Sequence, residues 1–199
     1  MPSNFLARVA AAPIRPVRAA IRHGVLSAFP RAQTGSVDYD HPHGDPGWFG
    51  PDSATWRVHS DFPGMLAGGL AALTLQSLHP LALAGVWDHS NFRGDLLGRL
   101  RRTTAFVGGT TYAPRAQAEA LVEHVRVIHA HVIGHAEDGR PYAADDPALL
   151  TWVHVTEAHS FLQGYRRYSH VELPATAADR YYDEVRRIAE ALGAREVPA

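Results

Sequence analysis

No cysteine occurs among the 199 residues. That removes disulfides, thiolate zinc sites, iron–sulfur clusters, a Cys-ligated haem and the C-x-x-C-H attachment of covalent haem, so any haem here would be non-covalent and held by histidine. Nor is there an excess of charge: 19 basic and 20 acidic residues leave a net charge of −1, and nothing in that balance favours nucleic acid. Residues 1–37 hold five arginines (Arg8, Arg15, Arg18, Arg22, Arg31) and no acid, no long apolar run, and Pro13 and Pro16 early on. They read as a basic amphipathic lead-in helix rather than a targeting signal, and the expected location is cytoplasmic. Phe62 to Trp87 lacks Asp, Glu, Lys and Arg altogether and is long enough to raise a membrane span. Thr74, Gln76, Ser77 and His79 near its middle, Pro80 directly after, and Gly64, Gly68, Gly69 and Gly85 favour instead a helix buried all round in a bundle, with no integral membrane span.

What is abundant is histidine, thirteen in all. Between Pro114 and Gly134 the apolar residues Ala118, Leu121, Val122, Val125, Ile128 and Val132 recur at steps of three and four, and His129 falls on the same line. His124 and His131 project from the other side. An imidazole aimed inward among aliphatic side chains suits a haem or metal site. A core histidine bonded to a carbonyl explains the same pattern.

The chain is long enough for one sizeable core, and no repeat, linker or strand pattern stands out. Helices are predicted at Ile14–Phe29, from Gly50-Pro51-Asp52-Ser53 with Trp56 packing inward, over about Phe62–Val86, at Asp95–Thr111, from Pro114 to near Gly134, after Asp145-Asp146-Pro147, and at Ala175–Leu192 before Gly193. The class is all-α, a multi-helix bundle. Asp38, Asp40, His41, His43 and Asp45 crowd a loop with the donor types of a metal site, although Pro and Gly between them suit a solvated loop better. In the helix after Pro147, His154 shares a face with Leu150, Ala158, Phe161, Leu162, Tyr165 and Tyr168. His79 lies on the segment predicted to be buried. Arg99 and Thr103, four apart, share a face with an apolar stripe, where a guanidinium can pair with a carboxylate such as a haem propionate.

Five segments in register resemble the latex-clearing proteins (rubber oxygenases) and MpaB-type oxygenases. They are Gly50-Pro51-Asp52-Ser53-x-x-Trp56; Gln76-x-x-His79-Pro80 with Gly85-Val86-x-Asp88-His89-Ser90; Arg99-Leu-x-x-Thr103; Val125-Arg126-x-x-His129-x-x-Val132-x-Gly134; and Asp146-Pro147-x-Leu149-Leu150-x-Trp152-Val153-His154. The resemblance covers about residues 48–170. It implies a globin-like helical core holding haem b, with His129 as the proximal iron ligand and Arg99 and Thr103 beside the haem. His154 and His79 are further cofactor-pocket residues on that reading, and Asp88 is a candidate base by position. The chain divides into a basic helix and loop, 1–47, and an oxygenase-like domain, 48–199, shortened at its C-terminus relative to the family.

The expected activity is that of a haem-dependent oxygenase, an enzyme joining dioxygen to an apolar, unsaturated small molecule, acting alone or as a homo-oligomer. Two alternatives stand beside it: a haem sensor or carrier ligated by both His129 and His154, and a truncated relative without cofactor. A non-haem metal site on His79, His129 and His154 is a third. Against it, Glu119, Glu123 and Glu157 form no Glu-x-x-His pair of the kind that bundle di-iron sites use.

Overall fold

The computed structural model describes residues 37–39 and 41–198 and, before them, positions 16, 17, 19, 20 and 23. The expected Ile14–Phe29 helix lies largely outside the described residues. From residue 54 the chain forms α1 (Ala54–Ser60), α2 (Phe62–Gln76), α3 (Pro80–His89), α4 (Leu96–Tyr112), α5 (Arg115–His129), β1 (Ile133–His135), β2 (Pro141–Ala143), α6 (Pro147–Tyr168) and α7 (Ala175–Leu192). The expected all-α bundle is what forms, with one short hairpin set into it.

Local chemistry starts the helices where the caps predict. Ser53 accepts the Trp56 amide at 3.0 Å to open α1, and Asp146 accepts the amides of Ala148 and Leu149 at 2.8 and 3.1 Å to open α6 behind Pro147. Asp95 accepts Gly98 N–H at 2.8 Å ahead of α4. Gly193 closes α7 at φ +113°, a left-handed backbone that glycine adopts without a Cβ penalty.

The core is built from α1, α6 and α7. Val58, Leu162 and Tyr181 are fully buried there, with Ala158, Phe161, Tyr165, Ala178 and Val185 around them. Thr55 is buried too, and its hydroxyl and amide both donate to Glu184 of α7 at 2.8 Å. Helix α2 lies against α6 with almost no side chain between the backbones. A Cβ on Gly68 would sit 2.6 Å from the Ser160 carbonyl oxygen, and one on Gly64 would sit 2.9 Å from the Tyr165 backbone.

Two expectations are corrected. The apolar stretch from Phe62 is two helices, bent by 105° at the Ser77–His79 break, rather than one helix buried all round. Pro80 offers no amide and pushes the preceding residue out of helical geometry, and His79 is accordingly extended at φ −93°, ψ 112°. Phe62, Leu66 and Leu70 on α2 and Leu83 and Trp87 on α3 are exposed. No single helix among the described residues is long and apolar enough to cross a membrane, while the bent pair passes on length and composition together.

The second correction concerns Gly134. Helix α5 stops at His129, and β1 pairs antiparallel with β2, Gly134 opposite Tyr142. The missed signal is Asp138-Gly139, a hairpin turn with Gly139 at φ +83°. Gly134 therefore does not end a helix; it leaves room for Tyr142, whose Cζ would lie 2.7 Å from a Cβ there. Through that gap the buried Tyr142 hydroxyl donates to Asp88 at 2.6 Å, tying the hairpin to α3.

Candidate functional site

A cavity of about 690 Å³ opens between α2, α4 and α6. That volume is within the range of small-molecule sites. Its walls are mostly apolar: Leu66, Leu70 and Leu73 from α2, Leu100 and Val107 from α4, Phe161 from α6. Glycine at position 69 keeps the α2 side of it open, a Cβ there reaching nothing closer than Phe161 at 3.6 Å. The polar groups on the wall are few, among them His59, Thr103, Thr104, Tyr112 and Glu157.

His59 is held by both ring nitrogens. Nδ1 lies 2.8 Å from the Thr111 hydroxyl and Nε2 lies 3.1 Å from the Tyr181 hydroxyl. The Thr111 hydroxyl already donates its one proton to the Val107 carbonyl, so it accepts from His59 Nδ1–H. Nε2 is then the acceptor for Tyr181 O–H. Burial pushes the His59 pKa down to about 3, so the ring is neutral and rigidly oriented beside the cavity. Glu157, on the same wall, is pushed up to about 7 by burial, an effect partly offset by the Gln76 amide beside it.

Of the residues singled out in the sequence, Thr103 lines the cavity; its hydroxyl donates to the Arg99 carbonyl at 3.2 Å. Arg99 lies one turn earlier on α4, half-buried, and its Nη1 donates to the Ser90 hydroxyl at 2.6 Å. Desolvation and Arg102 both push its pKa down. None of His79, His129 and His154 lines the cavity. His79 caps α3 by accepting the Ala82 amide at 3.5 Å and rests 5.7 Å from the Trp152 ring. His154 is half-buried on α6, and burial pushes its pKa down to about 4. His129, half-buried at the end of α5, is lowered by desolvation, partly offset by Asp145, and its buried Nδ1 has no hydrogen-bond partner.

These imidazoles do not gather. Among the described residues no three His, Cys, Asp or Glu side chains are placed to hold a metal ion together. The early loop is likewise occupied otherwise: His41 pairs with Asp38 at 3.0 Å, and Asp45 accepts the amides of Gly47 and Arg115. Asp40 lies outside the described residues. Asp88 is exposed and engaged by Tyr142. Sequence reading missed His59 and passed over Glu157 as a cavity residue. Helical spacing carries no sign of either role, because the groups beside them, Thr111 and Tyr181 at His59 and Gln76 at Glu157, come from other helices.

Fold and cavity together define a helical domain with a mostly apolar cavity of small-molecule size. The chain belongs to the family described as ER-bound oxygenase mpaB/B′/rubber oxygenase, catalytic domain, whose model matches residues 56–199. The match takes in α7 and the four motifs from Gln76 onward, and of the Gly50–Trp56 opening it covers Trp56. No curated protein and no solved structure matches the chain.

Proposed function

We propose that the protein is a haem-b-dependent oxygenase that brings dioxygen to an apolar, unsaturated small molecule. Membership of an oxygenase catalytic family supports the reaction class. The observation that carries the cofactor reading is the orphaned nitrogen of His129. A half-buried imidazole, kept neutral by desolvation and lacking any partner on Nδ1, has the donor chemistry an iron ligand needs.

On this reading His129 would hold the iron. Arg99, half-buried and with its guanidinium bonded among the described residues to the neutral Ser90 hydroxyl, would offer its remaining donors to a haem propionate. Thr103 contributes to the cavity wall next to it. A haem held there would supply the iron chemistry that activates dioxygen. The chain's own part is to seat an apolar substrate in the 690 Å³ cavity, against Leu73, Leu100, Val107 and Phe161. His59, with both nitrogens engaged, offers no free ligand atom and acts as a fixed strut between α1, α4 and α7.

The test is the absorption spectrum of the full chain expressed with haem supply, before and after dithionite and carbon monoxide. A haem band that shifts with carbon monoxide and is lost in His129→Ala is the expected outcome. An unchanged spectrum in His129→Ala sinks the ligand assignment. A band indifferent to carbon monoxide means that both iron faces are filled, the arrangement of a carrier using His129 and His154. Absence of any band overturns the cofactor altogether.

A further inference from the structure

We infer that Glu157 is the specificity-determining residue of the apolar cavity, gripping one neutral oxygen atom of an otherwise apolar ligand through its carboxyl group. This rests on the reading of the cavity as the substrate site and narrows the substrate class: a ketone, aldehyde, ester or alcohol on a hydrocarbon body.

The argument begins with what else faces the cavity. Among the described residues Glu157 is the single carboxyl on its wall, and no Lys or Arg lines it. His59 has no free nitrogen. The hydroxyl protons of Thr103 and Thr104 go to carbonyls of their own helix, Arg99 and Leu100. The phenols of Tyr39 and Tyr112 also face the cavity, and burial raises both, so they keep their protons throughout and add only a pH-independent baseline. A ligand carboxylate would therefore find no cation and would face a second carboxyl, a pairing that costs energy in an apolar site. A neutral oxygen finds a donor as long as Glu157 keeps its proton, and burial holds its pKa near 7.

The groups around Glu157 do not blur that titration. Burial pushes His59 on α1 to about 3 and His154 on its own helix to about 4, and raises Tyr112 on α4 to about 12. Tyr39 and Tyr181 are raised as well, the latter by burial and then by Glu157 itself. Gln76 on α2 is neutral at any pH. Between pH 6 and 8.5 the group that changes charge at this wall is Glu157.

The experiment compares n-decane, 2-decanone and decanoate by displacement of bound 1-aminoanthracene from the full-length protein at pH 6 and pH 8.5. A ketone only accepts hydrogen bonds, so it reports the protonated carboxyl. We expect the ketone-to-alkane affinity ratio of the wild type to fall about two- to tenfold from pH 6 to 8.5, the worth of one hydrogen bond. In Glu157→Gln, whose amide still donates, the ratio stays high at both pH values. In Glu157→Leu it is low at both. Decanoate binds most weakly to the wild type. Melting temperatures and far-ultraviolet circular dichroism of both variants verify that each is folded. Alkane and ketone that bind with a ratio indifferent to pH and to Glu157→Leu overturn this inference alone. Failure of all three probes to displace the dye overturns the cavity as a substrate site as well.

Discussion

Buried ionisable side chains leave opposite marks on the pH dependence of stability. Glu157 is raised from 4.5 to about 7, so the native state holds its proton more tightly than the unfolded chain. Its contribution is complete below pH 4.5 and is lost as pH rises through about 7. His59 and His154 are lowered from 6.5 to about 3 and about 4, and His129 is lowered too. Their contribution is complete above pH 6.5 and is lost as pH falls through the folded values. Three imidazoles outweigh one carboxyl, so the urea midpoint is expected to rise between pH 5 and 6.5. Glu157→Gln removes the opposing trend and steepens that rise; a profile identical to the wild type would contradict the placement of Glu157. The inward turn of His129 and His154 was legible from helical spacing, since both are half-buried on the faces predicted. His59 was not legible. Its meaning comes from Tyr181, a partner 122 residues away.

Neighbouring glycines on α2 have different jobs. Gly68 lets the α2 backbone touch α6, where an added Cβ would lie 2.6 Å from the Ser160 oxygen and 2.8 Å from Phe161 Cα. Backbone cannot swing aside as a side chain can, so Gly68→Ala is expected to cost about 1–3 kcal/mol, seen as a lower melting temperature. Gly69→Ala meets only Phe161 at 3.6 Å and gains helix propensity, roughly 1 kcal/mol at most. If both variants melted alike, the close α2–α6 seam would be wrong. Caps set by Ser53, Asp95, Asp146 and Gly193 could be read in the sequence because capping is a contact within one turn. The hinge at Pro80 also had its signal, since a proline forces the residue before it out of helical geometry even inside an apolar run. For Gly134 the alternative role depended on Tyr142, which only strand pairing brings opposite.

Taken over its whole surface, the molecule combines a net charge of −1 with apolar side chains left in the open, Leu78 at 70% and Trp87 at 50% exposure among them. Little net repulsion and an apolar hinge favour association near neutral pH. Leu78→Lys is expected to leave stability within about 0.5 kcal/mol, because the side chain packs on little, and to reduce light scattering of concentrated protein at pH 7. Unchanged scattering would mean that the hinge is not the adhesive surface.

Helical class, helix starts, family and the inward histidines were fixed by the residues alone, since periodicity, capping and motif spacing act over a few turns of chain. The location of the cavity, the neutral Thr111–His59–Tyr181 relay, the Tyr142–Asp88 tie and the separation of the three candidate imidazoles from the cavity wall were decided by packing. Each of those depends on which faces of distant helices meet, and on how completely that meeting shuts out water. Local spacing along the chain does not specify either quantity.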